Sequence, residues 1–136
     1  MSRREKRLSK KDRRAEARTV LESLPKFSET MLAFAKPLLD EAPPDFKLLR
    51  SLMVYATIAW NLPIYEQRKD SRAAWMRTQF DHAMANLPPE IAKLIAAMEH
   101  SRLTTYASDP RTGVVEVFED GPGGARIHAT ATLPED

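Results

Sequence analysis

Hydrophobic residues follow a helical period over most of the chain and a strand period near its end. Between Phe46 and Asn61, apolar residues cover most of the circumference of one predicted helix. They leave only a narrow polar strip, which consists of Lys47, Arg50, Ser51 and Thr57. A helix that is apolar on several sides must be covered on several sides. The pattern therefore predicts a mainly α fold, a small helical bundle around a buried central helix at about 46–61.

Prolines and polar caps mark the neighbouring elements. One helix is expected after Ser28, and Pro37 should kink or divide it. Asp45 follows a proline pair and can cap the central helix. Leu62-Pro63 should interrupt that helix at its other end.

Two more helices are expected after this interruption. Ser71 can cap a helix whose apolar stripe contains Met76, Phe80, Ala83, Met84 and Leu87. Pro88-Pro89 begins another helix, which should end near Ser108 and whose apolar face contains Ile91, Leu94, Ile95, Met98, Leu103 and Tyr106.

Two polar or aromatic residues in these helices allow two interpretations each. Trp75 lies beside its stripe and is either a partly exposed anchor at an interface or, the favoured interpretation, packed against a neighbouring helix. Asn61 could line a polar pocket with Trp60 and Tyr65, but an amide that caps the end of its helix is the favoured interpretation.

The period changes to that of strands after Pro110, and residues at about 113–133 predict a β-hairpin with a Gly-Pro-Gly-Gly turn. In the second strand Ile127, Ala129, Ala131 and Leu133 alternate with polar residues, so one face is apolar. Two strands alone are marginal in water. The hairpin should therefore pack on a helix of the same chain, the favoured alternative, or join a strand of another subunit in a dimer. Together with Trp75, the candidate protein-interface residues are Val115, Val117, Ile127 and Ala129.

Charge is distributed unevenly along the chain. The first eighteen residues hold three acids and nine basic residues, which are Arg3, Arg4, Lys6, Arg7, Lys10, Lys11, Arg13, Arg14 and Arg18. This segment carries +6, and because the whole chain carries +2, the remainder carries −4. We therefore divide the chain into a basic arm (1–18), conditionally helical or disordered, and a single helical domain (19–136).

The arm is either a solvated tail or a binding element for nucleic acid or the ribosome. No aromatic residue is interleaved with its charges, so contacts would be to phosphate rather than to bases. An arm that docks on the acidic body is the third interpretation.

The search for catalytic chemistry yields no catalytic or metal-ligating residue and implies no cofactor. Cysteine is absent, which excludes disulfides, thiolate zinc sites and cysteine nucleophiles. A small hydrolase or metal enzyme would require His82, His100 or His128 to converge with carboxylates. The sequence favours binding over catalysis.

The central third of the chain resembles a class of short uncharacterised bacterial helical proteins. The resemblance rests on Pro37-Leu38-Leu39 and on the later pair Trp60-Asn61. It implies no activity, because none is assigned to that class. Members often carry a cysteine-rich metal-binding tail, which this sequence lacks, so no zinc-dependent role carries over.

The leading hypothesis is a small accessory or adaptor protein that binds a protein partner or self-associates. The alternative is a nonspecific nucleic-acid-associated protein that uses the arm. No apolar stretch approaches the roughly 18 residues of a membrane span, so the expected location is the cytoplasm and no membrane partner is expected.

Overall fold

The computed structural model describes residues 24–41, 45–119, 121 and 125–133. Within these ranges the chain forms four helices and one antiparallel hairpin. They are α1 (Phe27–Glu41), α2 (Phe46–Gln67), α3 (Ala73–Ala85), α4 (Pro89–Leu103), β1 (Thr112–Glu119) and β2 (Ala125–Thr132). The predicted mainly α fold with a C-terminal hairpin is confirmed. The basic arm lies outside the described residues.

Helix α2 is the centre of the fold. It contacts α1, α3, α4 and β1, as its nearly continuous apolar surface requires. Its Trp60 is fully buried and is surrounded by the rings of Phe27, Phe34 and Tyr106, whose centroids lie 5.8, 5.1 and 5.4 Å away in edge-on orientations. These aromatic contacts join α1, α2 and the segment after α4 in one core.

Both internal prolines are tolerated inside their helices. The predicted interruption at Leu62-Pro63 is wrong, because α2 continues to Gln67. Pro63 removes one backbone donor, but it is buried together with Leu62 and Ile64, and this packing holds the helical path. Helix α1 likewise passes through Pro37 without being divided.

The helix ends agree with the predicted caps at one place and differ at another. The Asp45 carboxylate accepts a hydrogen bond from the Lys47 amide at 2.9 Å, as predicted for the start of α2. The predicted cap at Ser71 is wrong. Instead the Asp70 carboxylate accepts from the Arg72 amide at 2.9 Å, one residue before α3 begins.

Helix α4 buries Ile95 and Met98 of its predicted face almost completely, and Ile91 and Leu94 are half-buried. The helix ends at Leu103, and turns continue to Ser108. Leu103 is exposed, contrary to the prediction, and the neighbouring Arg102 points into the core instead.

The hairpin packs one apolar face on the helices of its own chain, which confirms the favoured prediction. Val115 pairs with Ala129 and Val117 with Ile127 on this inner face. Strand β1 contacts α2, and β2 contacts α1. The outer face carries Phe118, which is exposed.

Buried polar side chains fix the first residues of β1 against α2. The Asn61 amide donates to the Gly113 carbonyl at 2.7 Å, and its oxygen accepts from the Gly113 amide at 2.9 Å. The Trp60 indole donates to the Arg111 carbonyl at 2.7 Å. The favoured interpretation of Asn61 as a helix cap is therefore wrong, since this amide joins a helix to a strand.

No helix of the described residues is long and apolar enough to cross a membrane.

Candidate protein-binding site

An open apolar groove of about 490 Å³ lies between α2 and α3. Helix α2 contributes Ser51, Val54, Tyr55 and Ile58, and α3 contributes Trp75, Met76, Gln79, Phe80 and Ala83. None of these side chains carries a charge at neutral pH. The groove thus offers a nonpolar surface with a few hydrogen-bonding groups, which suits apolar side chains of a ligand.

Trp75 is the most exposed large hydrophobic residue of the described chain, at 68%. The favoured prediction that it packs against a neighbouring helix is wrong. On α3 the interior position is taken by Phe80, which is 2% exposed, and Met76 is half-buried. Trp75 is turned about 100° around the helix from Met76 and therefore points away from the interior. Its indole therefore stands at the rim of the groove.

Val54 extends the apolar surface towards the hairpin. It is 53% exposed and lines both the groove and a second cleft of about 230 Å³ beside β1. The second cleft is also lined by Arg50, Val115, Glu116, Val117 and Phe118. Val54 therefore connects the apolar groove with a second, partly polar cleft that reaches Phe118 on the hairpin.

A network of ion pairs holds the α3 wall of the groove in place. The Arg77 guanidinium binds Glu66 of α2 at 2.6 Å and Glu99 of α4 at 2.9 Å. These two carboxylates raise the pKa of Arg77 above its usual value. One side chain thus ties three helices together and holds α3 in the position that forms this wall of the groove.

The N-terminus of α3 is fixed by a second set of charges. Asp70 accepts hydrogen bonds from the Arg72 side chain at 3.1 and 2.9 Å, and these bonds lower the pKa of Asp70 to about 2. The Arg72 guanidinium also lies 4.9 Å from the centroid of the Tyr65 ring at the end of α2. Both contacts restrict the orientation of α3 beside the groove.

The predicted interface residues occupy different surroundings. Trp75 lines the groove, and Val115 and Val117 line the second cleft. Ile127 and Ala129 are half-buried against the core of their own chain. The nine basic residues of the arm lie outside the described part of the structure.

The three histidines are exposed and lie on three different elements, His82 on α3, His100 on α4 and His128 on β2. Within the ranges that the structure describes, no group of three or more histidines and carboxylates could hold a metal ion. The described residues thus do not bring the histidines together as the hydrolase hypothesis would require.

Sequence reasoning missed a buried arginine that organises the segment before the hairpin. Arg102 is 1% exposed, its guanidinium lies 3.8 Å from the centroid of the Trp60 ring, and burial lowers its pKa to about 10. It donates to the carbonyls of Trp60, Tyr106, Asp109 and Arg111. Its position four residues after Met98 places it on the apolar face, and this was the available signal.

Arg111 is the second buried arginine of this region. It forms an ion pair with Asp109 at 2.7 Å and donates to the Pro25 carbonyl at 2.8 Å and to the Thr30 hydroxyl at 3.1 Å. All buried side-chain nitrogens and oxygens in the described ranges have hydrogen-bond partners. The two arginines are therefore explained by the architecture and need no ligand.

Comparisons with protein-family models, with curated proteins and with solved structures gave no significant match. The resemblance that rests on Pro37-Leu38-Leu39 and Trp60-Asn61 stays a prediction.

Proposed function

We propose that this protein is a non-catalytic accessory or adaptor protein whose groove between α2 and α3 binds an amphipathic helix of a partner protein. The exposure of Trp75 at the rim of an apolar groove carries the proposal. Large apolar side chains beside a concave surface are typical of binding hot spots.

The shape and chemistry of the groove favour a helix as the ligand. Its two walls are themselves helices, and a third amphipathic helix can lay its apolar stripe between them. Apolar residues of the partner helix at positions i, i+3 or i+4, and i+7 would contact Val54, Ile58 and Met76. The Trp75 ring would cover these partner residues. Ser51 and Gln79 are available for polar groups of the partner.

The exposed area of Trp75 sets the size of the expected effect. A tryptophan can bury about 150–250 Å², and about two thirds of that range is free here because the residue is 68% exposed. At ~25 cal/mol per Å², complete coverage would contribute roughly 2.5–4 kcal/mol as an upper limit.

The experiment is a selection of displayed helical peptides on the full-length protein. Individual peptides are then measured against the wild type, against Trp75→Glu and against Thr78→Glu. Thr78 is exposed on the same helix and does not line the groove, so Thr78→Glu controls for an added charge on α3.

We expect the selected peptides to show apolar residues at helical spacing. Their affinity should fall about 30-fold or more with Trp75→Glu, the size of a hot-spot residue, and change little with Thr78→Glu. Failure to enrich helical peptides, or peptides that bind all three proteins equally, would refute the proposal.

The concentration of charge in the arm favours a second candidate function, binding to the phosphates of nucleic acid. The first eighteen residues contain nine basic residues, whereas the rest of the chain carries a net charge of −4, which disfavours phosphate binding outside the arm. The test measures binding of labelled RNA and duplex DNA to the full chain and to a truncation lacking residues 1–18. Affinity should fall steeply between about 50 and 200 mM salt and disappear on truncation. Equal binding by both proteins would contradict it.

A further inference from the structure

The edge of β1 that faces away from β2 carries backbone groups that no neighbouring strand of the described chain binds. Asn61 bonds both the amide and the carbonyl of Gly113, so these backbone groups point away from β2. The N–H and C=O groups of successive residues in an antiparallel strand point alternately to its two sides. Those of Val115, Val117 and Glu119 therefore point away from β2, as those of Gly113 do. In the described residues, no hydrogen-bond partner is found for the outward amides and carbonyls of these three residues.

The space beside this edge is open. The second cleft, of about 230 Å³, lies along β1 and has Arg50 and Val54 of α2 on its other side. At Gly113 the Asn61 side chain occupies the position that a neighbouring strand would take. At Val115 and Val117 the second cleft borders the strand, and no side chain bonds its outward backbone groups within the described structure, so a neighbouring strand can begin there.

We propose that β1 pairs antiparallel with β1 of a second copy of this chain, so that two hairpins form a four-stranded sheet around a two-fold axis. Pairing of identical edges is the simplest closed arrangement for an unpaired strand and satisfies the outward backbone groups of both copies. This inference is independent of the proposed function of the groove, although Val54 borders both surfaces.

The residues of β1 select the register. An axis through Glu116 would place two carboxylates opposite each other, which is unfavourable. An axis through Val115 would place Val117 opposite Gly113 of the second copy, whose backbone groups Asn61 already occupies. An axis through Val117 avoids both problems. It pairs Val115 with Glu119 of the second copy and allows about six hydrogen bonds between the strands.

Charges on the outer face are complementary in this register. Glu116 falls opposite Phe118 of the second copy, and within each chain the Arg126 guanidinium lies 5.8 Å from the centroid of the Phe118 ring. The Glu116 carboxylate of one copy can therefore approach the Arg126 guanidinium of the other above that ring. The two-fold axis generates a second, identical contact between Arg126 of the first copy and Glu116 of the second.

The test exploits this duplication with the full-length variants Glu116→Lys and Arg126→Glu. Each variant alone would set like charges against each other at both contacts, whereas one copy of each variant would restore two opposite-charge contacts. Both positions are exposed, so the hairpin itself should fold, and circular dichroism checks this. Oligomeric state is measured by sedimentation velocity up to about 1 mM protein, where even a Kd of that size would be detected.

We expect the wild type to be a dimer, each variant to dimerise at least about 10-fold more weakly, and an equimolar mixture to form the heterodimer. A wild type that stays monomeric over the whole range would overturn the proposal. Folded variants that dimerise as well as the wild type, or a mixture that does not recover the dimer, would overturn it as well. A loss of peptide binding to the groove would leave this result unchanged, so the two proposals fail separately.

Discussion

Replacement of Asn61 by alanine should destabilise the protein strongly, because one side chain satisfies two buried backbone groups. Asn61→Ala would leave the amide and the carbonyl of Gly113 without partners in the core between α2 and β1. An unsatisfied buried group costs about 1–3 kcal/mol, so the expected loss for the two groups is roughly 2–6 kcal/mol. That is a large share of the about 5–15 kcal/mol by which such domains are stable.

The variant Asn61→Asp distinguishes the contributions of the two hydrogen bonds, because it can keep one of them and lose the other. The aspartate would still accept from the Gly113 amide, but its second oxygen would face the Gly113 carbonyl at the position where the asparagine nitrogen now lies 2.7 Å away. We expect a loss at least as large as that of Asn61→Ala at neutral pH, because a buried charge adds to the repulsion. Protonation of the aspartate at low pH would restore a donor, so this variant should recover part of its deficit there.

Urea denaturation monitored by circular dichroism measures these changes. Ser51→Ala is the control, since Ser51 is exposed on the same helix and should change the stability by less than about 0.5 kcal/mol. Hydrogen exchange of the Gly113 amide adds a local measurement, because its protection should decrease in Asn61→Ala. A loss below about 0.5 kcal/mol for Asn61→Ala would refute the reasoning that this amide joins the helix to the strand.

Three further predictions concern other contacts of the structure. Gly113→Ala would bring a β-carbon into collision with the Thr130 carbonyl oxygen, and we expect a drop in the thermal midpoint together with loss of hairpin signals in nuclear magnetic resonance spectra; an unchanged midpoint would contradict this. Arg102→Met would leave four backbone carbonyls without the guanidinium and should lower the stability by about 2–4 kcal/mol in urea denaturation, whereas equal stability would show that burial of the charge offsets its hydrogen bonds. The pKa of Asp70 is lowered to about 2 by Arg72, so its contribution is complete above about pH 4 and is lost as the pH falls through 2. Asp70→Asn should therefore flatten that part of an acid titration of stability, and an unaltered profile would argue against the contact.

Local patterns were sufficient to predict the elements of the fold. The change from a helical to an alternating period located the hairpin, and the nearly continuous apolar surface after Phe46 identified the central helix. Asp45 was predicted as its cap, because a carboxylate before a helix satisfies free amides whatever the rest of the chain does. Pro63 misled the prediction of the helix end, because tertiary packing outweighed a local preference.

The site could be predicted only in part. Trp75 was recognised as a candidate anchor from its place beside the stripe, but its exposure depends on which helices cover α3, and sequence does not specify that. The bond between Asn61 and Gly113 links residues 52 positions apart and leaves no local signal. Arg102 was overlooked because an arginine within an apolar stripe is ordinarily assumed to be exposed. Here its guanidinium donates to four backbone carbonyls, which allows it to lie in the core.

The central claim is that the groove beside Trp75 binds a helix, and the two indole signals of the protein test it most directly. Trp60 is buried and donates to the Arg111 carbonyl, whereas Trp75 is exposed, so their side-chain N–H resonances should be resolved in a ¹H–¹⁵N spectrum. On titration with a helical peptide selected on the protein, the Trp75 signal should shift with the occupancy of the peptide while the Trp60 signal stays nearly constant. A peptide that binds and leaves the Trp75 signal unchanged would contradict the account.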